Sequence, residues 1–164
     1  MKRIGLLSDT HNYLFPGIIN FFKDCDEIWH AGDMGTIGIA EELSKLKIFR
    51  GVYGNIDGQD VRKVYPKDLK FMCENVKVWI THIGGYPGKY APEVKNSLFS
   101  NPPNLFICGH SHILKVIYDK KFNFLHINPG AAGKYGLHAI ITAVRFVIEG
   151  TEIKKLEILE IERK

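Results

Sequence analysis

A short apolar run that ends in a glycine and two histidines is the stretch of this sequence best suited to chemistry. Residues 105–108 are long enough for a buried strand, and His110 and His112 follow Gly109. In extended backbone, residues two positions apart project to the same side, so both imidazoles can face one site. Neutral imidazole is a common metal ligand. This stretch alone equally allows one histidine to be packed and the other solvated.

The same arrangement recurs along the chain, where other side chains able to bind metal follow apolar runs. The full set is Asp9, His11, Asp33, Asn55, His82, His110 and His112. In open α/β sheets ligands bind at the carboxyl ends of strands, so we expect these loops to converge on one cleft. Carboxylates suit hard divalent ions, imidazoles suit transition metals, and an asparagine oxygen can complete a shell. Seven candidates exceed the needs of one tetrahedral ion. They suit two ions about 3.5–4 Å apart if one carboxylate bridges them.

The elements that must position these residues alternate between strand and helix in the first half of the chain. Later segments read mainly as strands, which predicts an α/β sandwich with mixed sheets. Predicted helices cover 16–25, 35–46 and 91–99. Predicted strands cover 3–8, 26–31, 48–53, 69–73, 76–81, 105–108, 116–118, 122–128, 138–148 and 153–161. Residues 57–66 and 83–88 read as irregular, the latter as a loop rich in glycine and proline.

Composition limits the class of protein. The 164 residues are 45% hydrophobic and 24% charged, which suits one domain over 1–164 with a sizeable core. The net charge of +4 is spread along the chain, so we expect no dedicated nucleic-acid or membrane patch. Three cysteines without a Cys-x-x-Cys pair argue against a disulfide framework. The apolar run after Met1 is too short for a signal peptide, and no apolar segment is long enough to span a bilayer, so we expect a soluble, cytoplasmic protein.

Five short motifs, each after an apolar run, occur in the order and rough spacing of a known family. They are Asp9-x-His11, Gly32-Asp33, Gly54-Asn55, Thr81-His82 and Gly109-His110-Ser111-His112, followed by Asn128-Pro129-Gly130. In these motifs the sequence resembles the calcineurin-like metallophosphoesterases, and specifically their small bacterial and archaeal phosphodiesterase branch. The resemblance runs from residue 5 to about residue 135.

The resemblance implies a four-layer αββα sandwich and two divalent metal ions. Mn²⁺ is the expected metal, with Ni²⁺, Co²⁺, Fe²⁺ or Zn²⁺ as alternatives. By the same resemblance Asp9, His11 and His112 hold the first ion, Asn55, His82 and His110 hold the second, and Asp33 bridges both. It makes Asp33, Asn55, His82 and His110 the catalytic residues. A water or hydroxide between the ions then attacks phosphorus in line, with the ions offsetting the charge on the phosphoryl oxygens.

One position departs from the pattern of many relatives. They carry histidine after Gly-Asn, where it contacts phosphate and is thought to help protonate the leaving group, whereas this chain has Ile56 followed by Asp57. Loss of a general acid lowers the rate about 10²–10⁴-fold where the leaving group needs a proton. We therefore expect a small phosphate-ester substrate that is a diester or has an acidic leaving group. The alternatives are a phosphomonoesterase or nucleotidase with the same site, and a scaffold like the retromer subunit of this fold.

Weaker expectations concern residues near the motifs. Asn12, Asp57 and Tyr86 are candidate substrate contacts, although Asn12 also suits a turn and Tyr86 a solvated loop. His30 either orients a metal ligand or packs in the core. An exposed edge strand near the C-terminus could permit a homo-oligomer.

Overall fold

The computed structural model describes residues 1–163. The helices are α1 (Pro16–Phe21), α2 (Ile37–Leu46), α3 (Gln59–Arg62) and α4 (Pro92–Ser100). The strands are β1 (Lys2–Leu7), β2 (Glu27–His30), β3 (Ile48–Gly51), β4 (Asp68–Cys73), β5 (Val76–Thr81), β6 (Gly85–Tyr86), β7 (Lys89–Tyr90), β8 (Leu105–Ile107), β9 (Leu114–Asp119), β10 (Phe124–Pro129), β11 (Ile140–Glu149) and β12 (Glu152–Glu162). None of the helices described is long and apolar enough to cross a membrane.

Ten of these strands form two mixed sheets of five strands each. The first sheet has the order β12-β11-β1-β2-β3, in which β1, β2 and β3 are parallel. The second has the order β4-β5-β8-β10-β9, in which β5, β8 and β10 are parallel. Parallel strands end at the same edge of a sheet. The loops after these six strands therefore leave each sheet at one edge, and all of the candidate ligands lie in such loops.

The main core lies between the two sheets. Ile4 and Trp29 of the first sheet pack in one cluster with Ile80, Ile107 and Ile127 of the second, and all five are buried. Helices α1 and α2 cover the outer face of the first sheet, and α4 covers that of the second. Strands buried on both faces read as continuous apolar runs, which explains why they were recognisable in the sequence. The expected four-layer αββα sandwich is confirmed.

Three local features differ from the sequence-based expectations. Helix α1 ends at Phe21 rather than Cys25, because the chain turns there to bring Cys25 into the core and Asp26 to the amide of Arg3. The stretch 57–66 contains the one-turn helix α3, and the loop 83–88 begins the small hairpin β6–β7. Both are too short to show a periodic pattern in the sequence.

Candidate metal centre

The loops that carry the candidate ligands adopt an unusual backbone conformation. Asp9, His11, Asp33, His110 and His112 all have positive φ, between 45° and 70°. Left-handed backbone is costly for residues with a side chain, and such strain concentrates at functional sites. These tight turns follow the ends of the strands and bring the five side chains close together, in the two groups described below.

Asp9, His11 and His112 form the first group, with one potential ligand atom of each lying within 4.8 Å of the others. Asp9 Oδ1 lies 3.3 Å from His112 Nε2 and 3.9 Å from His11 Nε2. The other carboxylate oxygen, Oδ2, accepts hydrogen bonds from the Ser8 hydroxyl at 2.6 Å and the His110 amide at 3.1 Å. These bonds fix the carboxylate so that Oδ1 faces the histidines.

Asp33, His82 and His110 form the second group. His82 Nε2 lies 3.2 Å from Asp33 Oδ2, while its Nδ1 donates to the carbonyl of Ala31 at 2.7 Å. Because a carbonyl only accepts, Nδ1 carries the hydrogen, and the lone pair of the neutral ring is on Nε2. The amide oxygen of Asn55 lies 3.0 Å from His110 Nδ1, which brings Asn55 to the edge of this group.

Asp33 connects the two groups. Its Oδ2 lies 3.6 Å from His11 Nε2 in the first group as well as beside His82 in the second. Its Oδ1 accepts a hydrogen bond from the Ile56 amide at 3.0 Å. The close packing of Asp33 against Gly54 leaves no room for a Cβ at that glycine. The carboxylate is therefore held between histidines of both groups.

Three buried polar atoms at this junction have no hydrogen-bond partner within the described chain, namely Asp9 Oδ1, His11 Nε2 and His82 Nε2. Leaving a polar atom buried and unpaired costs about 1–3 kcal/mol. Cations that accept these lone pairs, one in each group, remove that cost, and the oxygen and nitrogen donors suit divalent transition metals. The residues thus fit metal ions, and the structure shows two candidate metal sites.

The carboxylates and histidines of the two groups shift one another's pKa values. Burial raises the pKa of Asp9, but the neighbouring His112 and His82 rings and the hydrogen bond from the Ser8 hydroxyl together hold it below its usual value. Burial lowers the pKa of His82, yet the neighbouring carboxylates of Asp33 and Asp9 raise it overall. Asp9 is therefore ionised at neutral pH, which is the form that binds metal.

The three weaker candidates lie in different surroundings. Asn12 accepts a hydrogen bond from the Thr36 hydroxyl through its Oδ1. Asp57 is buried, and its carboxylate accepts hydrogen bonds from the amides of Met34, Gly35 and Gly54 at 2.8–3.2 Å. Tyr86 is exposed and lines a separate cavity with His126 and Ser111. The structure thus gives Asp57 a role in holding loops together.

Two groups near the ligands were not recognisable as functional from the sequence. The Ser8 hydroxyl and the Ala31 carbonyl each fix a candidate ligand, yet serine and a main-chain carbonyl carry no motif of their own.

His30 is fully buried, with Nε2 3.0 Å from the Thr10 hydroxyl and Nδ1 accepting from the Gly32 amide. Burial lowers its pKa to about 4. His30 thus packs in the core and braces the two loops that carry Asp9 and Asp33.

The sequence of residues 1–151 matches the family model of the calcineurin-like phosphoesterase superfamily domain. The chain belongs to this superfamily. Members are hydrolases that use divalent metals, in agreement with the two candidate sites. A phosphodiesterase of Methanocaldococcus jannaschii is 28% identical over 150 residues, which cover 81% of this chain and 86% of that protein.

Solved structures share the fold of this chain. The structure of an archaeal phosphodiesterase has a TM-score of 0.75 and 25% identity, covering 96% of this chain and 99% of that one. Wild-type Vps29 of Entamoeba histolytica in complex with Zn²⁺ has a TM-score of 0.76, 14% identity and 99% coverage of both chains. At that identity the likeness to Vps29 shows the fold alone.

Proposed function

We propose that this chain is a phosphodiesterase that uses two divalent metal ions. The observation that carries the proposal is the position of Asp33, whose Oδ2 lies within 3.6 Å of a histidine nitrogen from each group. A shared carboxylate between two sets of ligands is the arrangement expected for two ions a few ångströms apart. The phosphodiesterase relative at 28% identity supports the same activity.

The residues divide the work as follows. Asp9, His11 and His112 hold the first ion, and His82, His110 and Asn55 hold the second, with Asp33 between them. We propose Mn²⁺ as the metal, since the set mixes hard oxygen with imidazole nitrogen donors. When bound, the ions lower the pKa of a water molecule that serves as nucleophile and stabilise negative charge on the phosphoryl oxygens. Ser8 and Ala31 keep the Asp9 and His82 donors pointed at this position.

The preference for diesters or esters with acidic leaving groups rests on Ile56 and Asp57, because neither supplies a proton to the leaving group. The Ile56 side chain is 46% exposed beside Asn55 and has no proton to give. Asp57 is next in the chain, but its carboxylate is buried and engaged by three amides. Neither side chain can act as general acid, so a leaving group that needs a proton is released about 10²–10⁴-fold more slowly. Aryl diesters avoid this penalty, and alkyl monoesters do not.

The test is hydrolysis of bis(p-nitrophenyl) phosphate by metal-stripped protein to which Mn²⁺, Ni²⁺, Co²⁺, Zn²⁺ or Mg²⁺ is restored. We expect metal-dependent turnover that His110→Ala and Asp33→Asn abolish. His126→Phe, which changes a buried histidine outside both groups, should retain it. An alkyl monoester measured in parallel tests the preference, and faster hydrolysis of the monoester contradicts it. Metal binding without turnover of any ester would instead favour a scaffold.

A further inference from the structure

A cavity of about 390 Å³ opens directly against two of the proposed ligands, Asn55 and His82. This volume is within the range of pockets that bind small molecules, roughly 300–1,000 Å³. The lining also includes four apolar residues, namely Tyr53, Ile83, Ala91 and Pro92. Ile83 follows His82 in the chain and is 47% exposed. A group attached to a phosphoryl centre at the metals can therefore extend into this cavity.

The charged side chains at the cavity are already occupied within the chain. Lys67 Nζ lies 2.7 Å from Glu93 Oε2, and this pair raises the pKa of the lysine. Arg62 donates to the main-chain oxygens of Gly54, Asn55 and Asp57, and its guanidinium lies 4.5 Å from the centre of the Tyr53 ring. Glu93 offsets the charge of Lys67, and Arg62 uses its Nε and Nη2 groups on main-chain oxygens. The apolar part of the lining consequently favours an apolar occupant.

We propose that this cavity binds one ester group of the substrate and selects an aryl or other apolar group over a small or anionic one. The proposal rests on the proposed function, because the metals must hold the phosphoryl group beside His82. Ile83 and Tyr53 form the contact surface, and the Glu93 carboxylate, which also lines the cavity, disfavours added negative charge. Burying a few more carbons in an apolar pocket changes affinity about tenfold or more.

Binding of phosphonates measures this selection without turnover. We would titrate Mn²⁺-loaded protein with phenylphosphonate and methylphosphonate in a calorimeter. Both anions present the same phosphoryl oxygens, and only the organic group differs. The wild-type protein should bind phenylphosphonate about tenfold more tightly than methylphosphonate. Ile83→Ser should reduce this ratio to about threefold or less, since the variant removes apolar contact surface.

Ile117→Ser is the matched control. Ile117 is 45% exposed, nearly the same as Ile83, but it lies on β9 outside the cavity. This variant should keep the wild-type ratio. Equal affinities of the two phosphonates in the wild-type protein would overturn the proposal. So would equal ratios in the two isoleucine variants, or the failure of either phosphonate to bind.

A charged ligand tests the role of the ion pair. Phosphonate bearing a 4-carboxyphenyl group should bind wild-type protein more weakly than phenylphosphonate. Glu93→Gln frees Lys67, so it should raise the affinity for the carboxylated ligand a few-fold at low salt and leave that for phenylphosphonate unchanged. An unchanged carboxylate penalty in this variant would contradict the role of the pair. The wild-type protein could instead hydrolyse no diester and still bind phenylphosphonate more tightly than methylphosphonate. That result would contradict the proposed function and leave the cavity assignment standing.

Discussion

The Nδ1 atom of His82 donates a hydrogen bond to the main-chain carbonyl of Ala31 at a distance of 2.7 Å. Ala31 follows β2 of the first sheet, whereas His82 follows β5 of the second. The bond therefore joins the two sheets at the candidate metal centre and fixes which ring nitrogen faces Asp33. Outer partners of this kind orient metal-binding histidines.

Gly32, next to Ala31, should be essential for this geometry. Its φ is +103°, and a Cβ there would overlap the His82 ring. Gly32→Ala should weaken metal affinity about 10–100-fold, measured by calorimetry, because the ring is displaced. Gly88→Ala is the control, since Gly88 has a similar φ of +92° but open space around it. Each variant carries about 1–3 kcal/mol of backbone strain. Equal metal affinity in the two variants would show that the position of the His82 ring does not depend on glycine at position 32.

Asp57 should contribute to stability rather than to substrate affinity. Its buried carboxylate accepts three amide hydrogen bonds from two loops, and bonds to charged groups contribute about 1.5–3 kcal/mol each. Asp57→Asn turns an amide NH₂ toward these donors, so we expect about 3 kcal/mol of destabilisation in urea unfolding. Asp60→Asn is the control. Exposed Asp60 accepts one hydrogen bond in the described part of the chain, from the Ile37 amide, so this variant should lose less than about 1 kcal/mol of stability. A raised KM with unchanged stability would return Asp57 to the substrate-contacting residues.

The sequence predicted the fold and the convergence of loops because both follow from local patterns. Apolar runs end where the parallel strands end, and the side chains after them, such as Asp33 and His110, share one edge of the sandwich. The left-handed backbone at Asp9 and His112 could not be predicted from local sequence patterns. Most residues can adopt it when surrounding contacts enforce it, and those contacts come from distant segments.

The environment of Asp57 also depends on contacts from distant segments, which local sequence patterns do not show. Two of its donors, Met34 and Gly35, lie more than twenty positions away, on a loop that only the folded sheet brings near. The sequence therefore showed Asp57 only as a candidate substrate contact and gave no sign of these hydrogen bonds. The apolar cavity beside His82 was equally unpredictable, since Tyr53, Ile83 and Pro92 come from three separate segments.

Metal binding should stabilise the chain. A ligand at 100 times its Kd adds about 2.7 kcal/mol to the free energy of unfolding, which for this size of protein raises Tm by about 5–10 °C. We expect this shift with Mn²⁺ in a thermal unfolding assay, its reversal by a chelator, and its loss in Asp33→Asn. Asp119→Asn is the control: Asp119 is buried and accepts from the Tyr90 hydroxyl, away from both groups. An undiminished shift in Asp33→Asn would contradict the shared carboxylate.

His126 should make the protein sensitive to acid. Its side chain is 1% exposed, and neither ring nitrogen has a hydrogen-bond partner in the described structure. Burial, together with the charge of Lys115, lowers its pKa from 6.5 to about 4. Between these values the unfolded chain binds the proton and the folded chain does not. Stability contributed by the neutral ring is thus present above pH 6.5 and is lost as the pH falls toward 4.

His126→Phe removes this titration and keeps a ring beside Tyr90 and Phe106. Relative to wild type, the variant should gain about 1–2 kcal/mol in free energy of unfolding between pH 7 and pH 5, measured by urea unfolding. His30 has a pKa near the same value, so the remaining dependence on pH is reduced rather than abolished. A difference between variant and wild type that stays constant over this range would mean that His126 is not buried in its neutral form.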